Sequence, residues 1–190
     1  AMELSFFGAK VIYFPTLQPL IKKKIPAYIK NTFDPNAIGT CISYSTKSEK
    51  KNTVKGISHI ENISLINFEG SGMVGVPGFS KRFFEALSRK EVNVIMITQA
   101  SSEFSICIAV NESDAKTAKD LIDKEFEYEI SQNKINESQI ENSLSNIAIV
   151  GDNMKSKKGV SGKLFSTLGN NNINIRAIAQ GASERNISII

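Results

Sequence analysis

From Val54 onward the apolar positions follow two periods, one after the other. Val54 to His59 and then Ile63, Leu65, Ile66 and Phe68 carry their apolar residues at strand spacing. A glycine-rich bend, Gly70 to Gly78, leads into Phe79, Phe83, Ala86 and Leu87, whose i, i+4, i+7, i+8 spacing marks one face of a helix. Val92 to Ile97 and Phe104 to Val110 then read as two strands joined by a tight polar turn that carries Gln99. Ser113 stands where it would cap a second helix with Ala115, Ala118, Leu121 and Ile122 along one side, and Phe126, Tyr128 and Ile130 alternate as a fourth strand. Strand, helix, strand, strand, helix, strand is the order of a ferredoxin-like α+β module.

The module comes twice. Shifting the chain by 81 residues lays Gln99 on Gln180, Gly78 on Gly159, Ser80 on Ser161, Phe84 on Phe165, Leu87 on Leu168, Asn93 on Asn174, Ile97 on Ile178 and Glu103 on Glu184. The second copy starts at Ile147 to Val150, repeats the helix face with Leu164, Phe165 and Leu168, and repeats the strands at Ile173 to Ile178 and Ile187 to Ile190. No second helix or fourth strand follows. The second module is therefore expected to be incomplete at its C-terminal end, in a piece of a longer chain, with Val54 to His59 available to its sheet from upstream. Ahead of the repeat, Phe6 to Thr40 holds four of the five prolines and an apolar pattern, Val11, Ile12, Leu17, Leu20 and Ile21, suited to a helix interrupted at Pro15 and Pro19. Ile25 to Ile29 reads as a short strand, Asn31 to Gly39 as a loop, and Tyr44 to Thr53 as a solvated connection. The expected division is 1–40 as the tail of another domain, 41–60 as linker plus a strand for the second module, 61–130 as the first module, 131–190 as the second, and 131–143 as a polar connection.

Composition narrows the chemistry. With 190 residues and 41% apolar content the chain can bury real cores. No run of eighteen apolar residues and no signal-peptide pattern occurs, so the expectation is a cytoplasmic protein without a membrane partner. The net charge of +4 raises nucleic acid as a partner, but the lysines cluster at 22–24, 47–51 and 155–158 without interleaved aromatics, and the central strands offer only Phe104 for stacking. No nucleic acid is expected. Cys41, Cys107 and His59 have no ligand or catalytic partner at a useful spacing, so neither a catalytic constellation nor a metal site is expected.

Gly70, Gly72 and Gly75 spell G-x-G-x-x-G, the dinucleotide pattern. However, the preceding strand is broken by Asn62, Ser64 and Asn67, Pro77 and Gly78 delay the helix, and the chain returns through adjacent strands rather than a helical crossover. The bend suits a small ligand better, because glycines let backbone groups come close and a helix N-terminus offers N–H groups to a carboxylate. A tight turn kept for packing is the alternative. Gln99 and Gln180 each close an apolar strand with an amide that both donates and accepts, as a ligand hydroxyl requires, or else they cap turns. No acid lies between Asn93 and Gln99 to pair with an ammonium group.

Longer stretches carry a resemblance over nearly the whole chain. Phe7 to Ile12 with Pro15-Thr16, Ile25-Pro26, Lys30 to Pro35 and Gly39-Thr40, then Val54 to Ile57, Ile97 to Glu103, Val150 to Asp152 and Ala177 to Arg185, resemble the regulatory region of aspartokinases, with its paired ACT domains. The threonine-sensitive bifunctional aspartokinase/homoserine dehydrogenases are the type most similar. At Tyr13-Phe14 the family commonly has His-Pro, so no role for that histidine carries over. The resemblance implies that the first ACT module is inserted into the second and that modules pair edge to edge in a homodimer. It also implies a fragment with no catalytic residue, regulating a parent that phosphorylates L-aspartate with ATP and Mg, and that uses NAD(P) if a homoserine dehydrogenase is fused. The effector, threonine in this reading, would lie against Met73, Gly75, Val76, Pro77, Gly78 and Phe79 with Asn93, Val94, Ile95 and Gln99, and at a second site against Gly159, Val160, Ser161, Asn174, Ile175 and Gln180. A lysine-responsive region, a nucleic-acid module and a spacer that only dimerises are the competing readings.

Overall fold

The structure is a computed structural model that describes residues 12–43, 53–99, 104–151, 154, 157–181 and 185–190. It divides into two compact units, Ala1–His59 with Ile147–Ile173 and Gln180–Ile187, and Ile60–Asn146 with Asn174–Ala179 and Ser188–Ile190. The strands of the main sheet stand in the order β4-β5-β3-β6-β8-β7, where β3 is Val54–Glu69, β4 Val94–Gln99, β5 Ser105–Asn111, β6 Gln139–Gly151, β7 Ile178–Gln180 and β8 Asn186–Ile189. A separate hairpin pairs β1 (Ala27–Ile29) with β2 (Thr40–Ile42), opposing Tyr28 to Cys41.

In the unit built on the first copy, β5 pairs antiparallel with β3 on one side, Ile66 opposite Ile108, and with β4 on the other, Ile97 opposite Ile108. The helices α2 (Phe79–Ser88) and α3 (Ala115–Glu125) cover one face. Their apolar stripes, Phe79, Phe83 and Leu87 with Ala115, Ala118 and Ile122, bury against Ile66, Phe68, Ile106 and Val110. Phe68 is fully buried and touches Phe79, Phe83 and Phe126 with ring centroids 5.0–6.0 Å apart. Each such ring removed from water stabilises the fold by about 1.5–3 kcal/mol. On the other face Ile63, Leu65, Met96 and Ala109 pack with Ala177 and Ile190. Cys107 sits half-buried beside them, and burial, with Glu141 adding to it, pushes its thiol above the ordinary value. That environment suits a packing side chain rather than a nucleophile.

The duplication is written into the backbone. Left-handed residues recur at the 81-residue interval: Asn62 (φ 57°) and Ser143 (φ 61°), Gly78 (φ 83°) and Gly159 (φ 85°), Glu91 (φ 53°) and Asn172 (φ 57°). Hydrogen bonds recur with them. The Gly70 N–H donates to Phe104 O at 3.0 Å and the Gly151 N–H to Arg185 O at 2.9 Å, while Val92 N–H reaches Leu87 O as Ile173 N–H reaches Leu168 O. A Cβ on Gly70 would stand 2.6 Å from Lys134 O, and one on Gly151 would stand 2.2 Å from the repeat mate of that atom, Thr53 O. The start of β3 thus takes in the second copy the place that 135–140 takes in the first. Two ACT-like modules share the chain, the first inserted into the second.

Several elements differ from the sequence reading. Phe126, Tyr128 and Ile130 are not a strand, because Glu127–Ser131 forms a short helix, α4, in which Ile130 N–H bonds Phe126 O at 2.9 Å. Fully buried Phe126 and half-buried Ile130 lie four residues apart on one side, and Tyr128 is 69% exposed. The fourth strand is the first half of β6, inside the stretch expected to be a polar connection. Ser113 does not cap α3; a 3-10 turn, Glu112–Asp114, precedes that helix and Ser113 Oγ bonds the Asp114 carboxylate. Val54 to His59 and Ile63 to Phe68 are one strand that passes through Asn62, a residue that tolerates positive φ. Pro15 and Pro19 do not interrupt a helix but lie within α1 (Phe14–Lys22), Pro15 in its first turn where no N–H partner is needed. Of Ile173 to Ile178 only Ile178 enters a strand.

Candidate functional site

The bend after β3 is built before it is decorated. Gly72 N–H donates to Lys134 O at 2.9 Å and Asn136 N–H to Glu69 O at 2.9 Å, which pins the turn Ser71–Met73 to the chain entering β6. The glycines of the dinucleotide-like pattern are consumed here, since Gly70 and Gly72 pack directly on residues 134–135. Beyond them the chain opens. Gly75 (φ 69°) and Gly78 (φ 83°) have nothing within 4 Å of where a Cβ would be, and Gly78 turns the chain into α2 with no side chain capping that helix.

A cavity of about 420 Å³ lies in this opening, lined by Met73, Gly75, Val76, Pro77, Gly78, Phe79, Ser80, Lys81 and Gln99. Met73 and Phe79 are buried and form an apolar floor, whereas Val76, Ser80, Lys81 and Gln99 are exposed along the rim. Gln99 arrives from the end of β4, held in register opposite Ile106. The arrangement joins four elements: a helix start that no side chain caps, one cation, one amide and an apolar floor. Among the described residues no carboxylate lines it. A carboxylate-bearing ligand is favoured at such a helix start, and a second positive charge is not.

Seven of the ten first-copy candidates, Met73, Gly75, Val76, Pro77, Gly78, Phe79 and Gln99, line this one space. Asn93, Val94 and Ile95 do not. Asn93 is exposed ahead of β4, Val94 packs toward the helix-covered core and Ile95 toward the opposite one. Sequence reasoning stopped the bend at Phe79 and so missed Ser80 and Lys81; the signal was their place in the first turn of a helix begun by a glycine. The turn from Ala100 to Glu103 lies outside the described residues.

The second copy is not a replica. A cavity of about 500 Å³ there includes Gly159 and Val160, but its other walls are Thr53, Val54, Ile57, Ile149, Lys157, Lys158, Lys163, Leu164 and Thr167. Ser161, Asn174, Ile175 and Gln180 are not part of it. Val54 and Ile57 are the repeat mates of Ile135 and Ser138, and in the first copy Ser138 is held by α3, through the Asp123 carboxylate at 2.6 Å and Lys119 Nζ at 2.7 Å. The second cavity therefore matches the bed of α3, not the opening at the bend of the first copy. Asn174 and Gln180 are exposed, Ile175 half-buried, and Arg176 is ion-paired with Glu141. No cluster able to hold a metal ion exists among the described residues, and no helix there is long and apolar enough to cross a membrane.

Comparison with known proteins agrees with the repeat. The ACT domain model matches residues 66–126 and 147–190. Over its whole length the chain is 45% identical to a bifunctional aspartokinase/homoserine dehydrogenase of Haemophilus influenzae, of which it covers 23%. Among solved structures it is similar to Clostridium acetobutylicum aspartate kinase (TM-score 0.82, 29% identity, 98% of this chain and 42% of that one). It is also similar to E. coli aspartokinase III in complex with lysine and aspartate (TM-score 0.71, 27% identity, 99% and 40%). The chain thus spans less than a quarter of that bifunctional relative, and the matched part is the regulatory region.

Proposed function

The chain belongs to the ACT-domain family, and from that premise we propose that it is the amino-acid-sensing regulatory region of an aspartate kinase, with threonine as the effector. The parent would transfer a phosphoryl group from ATP to L-aspartate, and this region would lower that activity when the end product accumulates. The observation that carries the reading is the first-copy cavity. Its Lys81 and the start of α2 suit an α-carboxylate, Gln99 suits a side-chain hydroxyl, and the Met73–Phe79 floor suits a methyl group.

The E. coli structure favours lysine as a second reading, since that relative was solved with lysine bound. The lining of the cavity argues against it, because a lysine ammonium would meet Lys81 and, among the described residues, no carboxylate. Exposed Phe33 (97%) and Ile38 (89%) beside the β1–β2 hairpin support the N-terminal segment as the end of a kinase domain whose remainder would cover them. Exposed Ile97 on β4 and its repeat mate Ile178 on β7 occupy the two sheet edges, which supports edge pairing in a homodimer.

Thermal unfolding tests the effector assignment. At a hundred times its dissociation constant, threonine should stabilise the chain by about 2.7 kcal/mol. Gln99→Ala should lose most of that gain; an undiminished shift would make the glutamine a structural turn residue.

A further inference from the structure

Resting on the effector reading above, we propose that Arg82, which lies outside the cavity, is a positioning residue that sets effector affinity by holding the Phe79 wall in place through Phe126. Phe79 lines the cavity and stacks on Phe126 with centroids 4.5 Å apart and planes 25° from parallel. The Arg82 guanidinium carbon stands 4.4 Å from the same Phe126 ring. Four hydrogen bonds fix that guanidinium. Nε donates to Glu125 Oε1 at 3.2 Å, Nη1 to Glu129 Oε1 at 2.5 Å, and Nη2 to Glu125 O at 3.0 Å and Glu129 Oε2 at 3.5 Å. The Arg82 backbone N–H also bonds the carbonyl of Gly78, the left-handed residue that starts α2, at 3.1 Å. One residue therefore grips the hinge of the bend, the ring behind its wall, and the helix that carries that ring's neighbours.

A flat fork that stacks on an aromatic face while binding two carboxylates is a task for arginine, since lysine presents a single point charge. The second copy has Lys163 and Val160 at the mates of Arg82 and Phe79, so it lacks both the fork and the ring. A wall held before the ligand arrives spares the ordering cost of binding. The first copy alone is built that way.

The test is threonine affinity of the full chain by titration calorimetry, at a temperature well below the unfolding midpoint of every variant. Under that condition a merely structural loss leaves the dissociation constant unchanged. Arg82→Lys should weaken threonine about tenfold. Glu129→Gln, which loosens the clamp from α4 without touching α2, should weaken it in the same direction, and the double variant should be no weaker than Arg82→Lys alone. Wild-type affinity in Arg82→Lys, or losses that simply multiply in the double variant, would overturn the inference. Absence of threonine binding by the unsubstituted chain would instead reject the effector reading and this inference with it.

Discussion

At the scale of single residues, the 81-residue interval shows which positions the fold dictates and which one it tolerates. Gly70 and Gly151 are dictated, because each faces the carbonyl of an incoming strand at a distance no Cβ can share. Gly70→Ala should cost about 1–3 kcal/mol by overpacking, read as a lower urea midpoint at unchanged slope; a neutral result would mean that residues 134–135 give way freely. Asn146 is the tolerated exception. It is fully buried, neither side-chain amide atom has a partner among the described residues, and its mate in the first copy is Leu65, a core residue. A buried amide without partners costs about 1–3 kcal/mol, so Asn146→Leu should raise the unfolding midpoint. A lowered midpoint would show that the amide is satisfied in solution.

At the scale of elements, what the sequence revealed depended on whether side chains or backbone define the element. α2 was legible because Phe79, Phe83, Ala86 and Leu87 all bury. The first half of β6 was not, since Gln139, Glu141, Asn142 and Ser143 outnumber its apolar Ile140 and Leu144 and it is tied to the neighbouring strand, with Ser64 Oγ bonded to Asn142 at 2.7 Å. Phe126 to Ile130 misled because a five-residue alternation is also an i, i+4 helical pair. Arg82 ties α4 to α2 through Glu129, and that hydrogen bond, offset in part by burial, holds the Glu129 carboxyl below its ordinary value of 4.5. A depressed carboxyl contributes stability above its unfolded pKa and loses it as pH falls through the folded one. The deficit of Glu129→Gln relative to the parent chain should therefore be present at neutral pH and vanish well below 4.5. Urea midpoints compared across that range check it, and a deficit independent of pH would point to shape rather than charge.

At the scale of the molecule, two copies of one backbone present two differently lined cavities. The repeat is visible in both sequence and structure, down to the left-handed residues. The difference between the cavities goes with less visible exchanges: Lys81 against Gly162, Phe79 against Val160, and Val76-Pro77 against Lys157-Lys158. Periodicity cannot report these, because each pair preserves the element while changing what it presents to solvent. The first-copy bend was readable from its glycines and Gln99. That the second copy presents a different cavity was not, because the residues that shape it come from the start of β3, far away in sequence.

The proposed reading predicts one ligand site per chain, with a preference for a neutral hydroxylated amino acid. Isothermal titration of the chain with threonine, lysine and methionine separately tests this most directly. The expected result is saturable heat with threonine at one site per chain and little or none with the other two. Saturable binding of lysine without threonine, or of no amino acid at all, would contradict the account.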